Sequence, residues 1–109
     1  MRQIKESEKR IIKALSKVAN ISIDIITEQK VWEINPEMGS IRSKSCRKEQ
    51  PVKAISTCEY TDTDGTPVVV TLLLTEDGFF GELDFWKVTD EPIIGDHPST
   101  SSLKNFIKI

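Results

Sequence analysis

The residues whose types and spacing could do chemistry lie mostly in the second half of the chain. Glu82, Asp84 and Trp86 alternate along a predicted strand, so their side chains point to one face of the sheet. Carboxylates beside a tryptophan are the composition expected of a site that binds a basic protein surface, although Trp86 could instead be buried in the core. Asp62 and Asp64, in an acidic turn, are assigned to the same partner-binding surface from their charge and expected exposure.

Histidine-based catalysis would require His97, the only histidine in the chain. It lies beside a proline in a polar, turn-rich segment, which predicts a mobile loop rather than an ordered general base. Carboxylate-only catalysis would instead use Glu82 and Asp84. A neighbouring strand could add Glu59 or Asp62, but two acids on one exposed sheet face are common in proteins without activity. We therefore predict no catalytic residue and expect that the chain is not an enzyme.

Metal sites are predicted to be absent as well. If Asp62 opened a calcium-binding loop, Gly65 would fall at its fourth position, where the EF-hand pattern requires glycine at the sixth. Cys46, Cys58 and His97 are single and widely separated, without the paired spacing of zinc ligands. With no glycine-rich phosphate loop in the sequence either, we predict that the chain uses no metal and no cofactor.

Composition predicts one domain, residues 1–109, that folds in water. Hydrophobic residues make up 38% and charged residues 29% of the 109 residues, which is typical of a globular chain. The first residues are polar, without the apolar stretch of a secretory signal, and no apolar run approaches the length of a membrane span. We therefore expect a cytoplasmic protein with no membrane partner, in which both cysteines stay reduced.

Charge is distributed unevenly along the chain. Residues 1–54 contain 12 Lys and Arg against 7 Asp and Glu, whereas residues 55–109 contain 3 against 10. The net charge of −2 therefore hides a basic first half and an acidic second half. Such asymmetry can steer an oppositely charged partner, unless folding interleaves the two halves.

The N-terminal region predicts an amphipathic helix. Apolar residues such as Ile11, Ile12 and Leu15 recur at helical spacing over residues 8–19, and four basic residues occupy other faces. Ser7 could cap this helix, or the helix could begin one turn earlier. The basic face could contact nucleic acid, but it could equally serve only solubility.

The rest of the chain predicts antiparallel strands. Residues 31–34, which include Trp32, and residues 41–43 form a hairpin around a Pro and Gly turn, with Trp32 either exposed or buried. The basic segment 44–51 is predicted to be a loop, and residues 21–30 fit a strand or a short helix equally well. Residues 103–109 could either pack or fray. The main strands are a meander over residues 52–60, 68–74 and 79–87.

These elements predict an α+β fold: an N-terminal amphipathic helix packed on a mainly antiparallel β-sheet, a meander, of about five strands. The alternative in which two sheets pack together stays open. In the last strand of the meander, Leu83 and Phe85 lie on one face and Glu82, Asp84 and Trp86 on the other.

Several segments together resemble small bacterial immunity proteins of contact-dependent growth inhibition and other polymorphic toxin systems. The resemblance rests on the amphipathic opening, EMGSI at residues 37–41, DTDG at 62–65, GELDFWKV at 81–88 and PII at 92–94. The basic segment 44–51 has no counterpart in it. The resemblance implies a cytosolic protein that binds and neutralises the C-terminal toxin domain, most often a nuclease, of a cognate secreted effector.

Three functional hypotheses follow. The first is an immunity protein whose acidic half covers a basic toxin surface, with no nucleic acid as partner. The second is a nucleic-acid-binding or regulatory module that uses the basic helix and Lys44, Arg47 and Lys48, for which affinity should fall steeply with salt. The third is a small carboxylate-dependent enzyme, which requires a concave pocket and an Asp or Glu with a perturbed pKa.

Overall fold

The computed structural model describes residues 1–23 and 29–109. Within them the chain forms helix α1 (Glu6–Val18), a short 3-10 helix (Thr100–Ser102) and seven strands. The strands are β1 (Arg2–Gln3), β2 (Lys30–Asn35), β3 (Ser40–Ser43), β4 (Val52–Thr61), β5 (Pro67–Thr75), β6 (Phe80–Lys87) and β7 (Lys104–Lys108).

All seven strands belong to one sheet, in the order β1-β2-β3-β6-β5-β4-β7, and all their pairings are antiparallel. Strands β4, β5 and β6 form the meander at its centre. The hairpin of β2 and β3 attaches to the outer side of β6, and β7 pairs with β4 at the far edge.

Helix α1 begins where Lys5, in extended conformation, precedes its first turn. The carboxylate of Glu8 accepts a hydrogen bond of 2.7 Å from the backbone N–H of Lys5, the return half of a capping box, and also pairs with Arg2. Glu8 is buried, so this ion pair ties strand β1 to the start of the helix.

The core lies between α1 and one face of the sheet. Ile11, Ile12 and Leu15 of the helix are buried, as are the side chains that alternate along the strands, such as Leu72 and Leu83. Ser56 also points to this side, and its hydroxyl donates a hydrogen bond of 2.8 Å to the carbonyl of Leu15. The helix therefore covers one face of a single sheet, which decides against two packed sheets.

The predicted α+β fold is confirmed, with seven strands instead of about five. The additional strands are β1 and β7 at the edges of the sheet, which are short and show no alternation of apolar and polar residues along the sequence. Of the segment 21–30, which was left open between strand and helix, residues 24–28 lie outside the described residues, and Lys30 begins β2. The described residues contain no helix that is long and apolar enough to cross a membrane.

Candidate functional site

The face of the sheet opposite α1 carries the predicted carboxylates and tryptophans, and we call it the open face. Directly paired residues in a sheet project their side chains to the same side. Trp32 pairs with Arg42, and Arg42 pairs with Glu82, so these three form one row across β2, β3 and β6. Asp84 and Trp86 follow Glu82 at every second position of β6 and therefore lie on the same face.

Two tryptophans of the open face expose large parts of their rings to solvent. Trp86 is 49% exposed and Trp32 is 46% exposed, so the alternative in which either is a core residue is wrong. The indole N–H of Trp86 donates a hydrogen bond of 2.7 Å to Asp90, which fixes the orientation of the ring while its surface stays accessible. Large, oriented aromatic surfaces of this kind are frequent energetic centres of protein interfaces.

Arg42 connects the open face to the basic loop, residues 44–51. Its guanidinium forms an ion pair of 3.2 Å with Glu82 and donates hydrogen bonds to the carbonyls of Cys46, Arg47 and Gln50. Arg42 is only 8% exposed. The loop is therefore folded against the sheet by a buried arginine, and the negative charge of Glu82 is balanced within the molecule.

Asp84 forms no ion pair within the described residues, and in this sense its carboxylate is uncompensated. It is half-buried, and its Oδ1 is fully covered but has no hydrogen-bond partner within the described residues. Its direct neighbour on β5 is Thr71. Burial and, to a lesser extent, the charge of Glu82 raise the pKa of Asp84 to about 6, against the opposing effect of Arg42. An uncompensated carboxylate in the middle of a sheet face is an unfavourable arrangement, and such positions are concentrated at functional sites.

Asp62 and Asp64 do not join this face, because both bind Lys87. The ammonium of Lys87 lies 2.8 Å from Asp62 and 2.7 Å from Asp64. Asp62 also accepts hydrogen bonds from the backbone N–H groups of Ile94 and Gly95. Although burial raises its pKa, the hydrogen bonds from Lys87 and these amides hold the pKa of Asp62 well below its ordinary range.

The exposure expected for Asp62 is therefore wrong: the side chain is buried, and it joins the acidic turn to the segment that follows β6. Asp64 keeps part of its surface in solvent. Sequence reasoning overlooked Lys87, yet a signal was present. Lys87 continues the alternation of Leu83 and Phe85, so it belongs to the core side of β6, where a lysine requires an acidic partner.

His97 is packed and hydrogen-bonded, not part of the mobile loop expected from the sequence. Its ring stacks on the buried ring of Phe85, with centroids 5.0 Å apart and the planes within 7°. Its Nδ1 lies 2.7 Å from the hydroxyl oxygen of Ser7. Around this pair a cleft of about 330 Å³ is lined by Lys5, Ser7, Gly95, Asp96 and His97. Asp84 does not line it, so the perturbed carboxylate and this cleft are separate features.

Within residues 1–23 and 29–109, no three His, Cys, Asp or Glu side chains are grouped in a way that could hold a metal ion. Cys46 and Cys58 are both buried free thiols, and burial raises the pKa of Cys58 to about 12. A thiol with such a high pKa is a poor nucleophile and a poor metal ligand near neutral pH.

A family model described as a domain of unknown function, DUF6984, matches residues 1–96. The matched range contains α1 and strands β1 to β6, and therefore the part of the open face that β2, β3 and β6 carry. Strand β7 lies beyond it. Neither a search of curated proteins nor a search of solved structures finds a match to this chain.

Proposed function

The chain belongs to the DUF6984 family, a domain of unknown function, and from the site itself we propose that it binds a protein partner through the open face. The observation that carries the proposal is that the oriented ring of Trp86 and the uncompensated carboxylate of Asp84 lie on the same exposed sheet face. An aromatic centre beside a carboxylate fits a basic partner surface.

We further propose that this partner is the C-terminal toxin domain of a contact-dependent inhibition effector, that the toxin is a nuclease, and that the chain neutralises it in the cytoplasm as an immunity protein. Support comes from the resemblance of residues 37–41, 62–65 and 81–88 to immunity proteins. It also comes from charge, because a basic phosphate-binding surface is attracted by carboxylates and is blocked when they cover it.

Co-expression tests the immunity role. The toxin domain encoded immediately upstream is induced in cells with and without this chain, and growth is measured. The proposal expects growth arrest that the chain relieves, together with co-purification of the two proteins. A harmless neighbour, or one that stays toxic beside well-expressed chain, counts against the proposal for that pair.

Replacement of Trp86 by alanine should weaken partner binding at least about tenfold, because a central aromatic side chain commonly contributes more than 1 kcal/mol to an interface. Affinity is measured by calorimetry on the co-purified pair. Phe79→Ala is the matched control, because Phe79 is an aromatic residue that is 69% exposed in the turn before β6. Equal affinities for the Trp86→Ala variant, the Phe79→Ala variant and the unchanged chain would place the interface elsewhere.

The basic loop supports a second candidate function, nucleic-acid binding. Lys44, Arg47 and Lys48 are all exposed, and Arg42 holds the backbone that carries them. Under this alternative, a labelled single-stranded oligonucleotide binds at low salt and is released as salt rises. We expect no binding even at low salt, since Asp84 and the acidic second half repel phosphate. Salt-sensitive binding that is lost in an Arg47→Glu, Lys48→Glu variant would instead favour the second candidate.

A further inference from the structure

The cleft at the start of α1 is a second candidate site, independent of the open face. It has a volume of about 330 Å³, within the range of small-molecule sites, and Ser7, His97 and Lys5 contribute to its wall. Ser7 and His97 are each partly exposed, so a small molecule in the cleft can reach both.

The contact between Ser7 and His97 has the geometry of a nucleophile and its base. Their Oγ and Nδ1 atoms are 2.7 Å apart, which is a hydrogen bond of ordinary length for such pairs. Burial of the ring lowers the pKa of His97 from its ordinary value, an effect that the nearby carboxylate of Glu8 partly opposes. The imidazole is therefore neutral near neutral pH, and in the tautomer that carries its proton on Nε2, Nδ1 can accept the proton of the Ser7 hydroxyl.

Two contacts hold this pair in place. The stacked ring of Phe85 fixes the plane of His97. The carboxylate of Asp62 accepts a hydrogen bond of 2.9 Å from the N–H of Gly95, close to the histidine. A side chain at Gly95 would clash there, because its Cβ would lie 2.7 Å from the methyl group of Thr63. The stacked ring of Phe85 therefore positions the histidine, and Asp62 anchors the backbone two residues before it.

We propose that Ser7 is a nucleophile, activated by His97, that reacts with small esters and related acyl or phosphonyl electrophiles entering this cleft. In the reaction the Oγ of Ser7 forms a bond to the carbonyl carbon and its proton passes to Nδ1 of His97. The carbon–oxygen bond to the leaving alcohol then breaks, and His97 returns the proton to that alcohol. Water subsequently hydrolyses the acyl group from Ser7.

The surroundings favour the negative charge that develops on the attacked oxygen. Ser7 lies in the first turn of α1, whose first backbone N–H groups have no acceptor within the helix, and the positively charged residue Lys5 lines the same cleft. The charged groups that act on the His97 ring are Glu8, Lys5, Arg2 and Asp96, two of each sign. This proposal departs from the expectation, drawn from sequence, that the chain has no catalytic residue.

A fluorophosphonate probe tests the proposal. Attack by Ser7 forms an oxygen–phosphorus bond and expels fluoride, and the adduct stays on the serine. We expect one adduct by intact mass spectrometry, mapped to Ser7 by peptide analysis. In Ser7→Ala the adduct disappears, and in His97→Gln the labelling rate falls at least about tenfold. Ser101→Ala, at an exposed serine outside the cleft, labels at the unchanged rate.

The pH dependence of labelling and the labelling of the unchanged chain distinguish a base from a histidine with a purely structural role. The labelling rate should rise with pH through the lowered pKa of His97 and level off near neutrality, a profile that a merely structural histidine does not give. Absence of an adduct on Ser7 in the unchanged, folded chain overturns the proposal without any variant. So does a His97→Gln variant, folded by circular dichroism, that labels as fast as the unchanged chain. Partner binding at the open face is unaffected by either result.

Discussion

Replacement of Asp62 by alanine should lower the melting temperature by about 10 °C or more, the effect expected when one member of a buried ion pair is removed. Asp62 and Lys87 each expose only about 1% of their side chains. Without Asp62, Lys87 keeps only the partly exposed Asp64, and the N–H groups of Ile94 and Gly95 lose their acceptor. Thermal unfolding followed by circular dichroism measures the change, with Asp77→Ala, at an exposed turn residue, as the control.

Two further measurements separate this ion pair from a general loss of packing. The folded-state pKa of Asp62 is depressed, so its stabilisation is present above the ordinary Asp value of about 4 and is lost as pH falls below it. The difference between the two proteins should therefore shrink in acid. Replacing both partners, as Asp62→Asn with Lys87→Met, should recover much of the melting temperature. If this double variant melts lower than the Asp62→Asn single variant, Lys87 does not require neutralisation by Asp62.

The fold could be predicted because its signals are local. The helical spacing of Ile11, Ile12 and Leu15 and the turn residues around the meander each lie within a few positions of one another. The edge strands could not be predicted in the same way, because β7 has five exposed residues and acquires its strand conformation only by pairing with β4. Edge strands lack the alternation that one buried face imposes.

The candidate site was predicted in part, and the limit is set by long-range contacts. Alternation along β6 placed Glu82, Asp84 and Trp86 on one face, as the structure has them. It could not show that Arg42, 40 positions away from Glu82, neutralises one carboxylate while Asp84 stays uncompensated. The partner of Ser7 is equally distant, since His97 follows it by 90 residues and reaches it only because the segment after β6 folds back over Phe85.

Replacement of Asp84 by asparagine should stabilise the chain by about 1 kcal/mol near neutral pH, or about 5 °C in melting temperature, after allowance for the solvent that reaches this half-buried group. Its pKa of about 6 lies above the ordinary value of an aspartate. Between about pH 4 and 6 the folded chain therefore binds a proton that the unfolded chain has released, and stability falls as pH rises through this range. Asparagine has nearly the same shape and no charge, so the stabilisation should disappear at about pH 4.

The same variant connects stability with the proposed function. If a basic partner neutralises Asp84, the carboxylate costs stability in the free chain and is compensated only in the complex, a trade-off frequent at binding sites. Asp84→Asn should then melt higher and yet bind the partner more weakly, whereas Asp96→Asn, at an exposed aspartate outside the open face, should change neither. Higher stability with unchanged affinity would support the raised pKa of Asp84 but show that Asp84 lies outside the interface. Lower stability at neutral pH would show that the carboxylate is compensated within the free chain, and the charge complementarity at Asp84 would lose its basis.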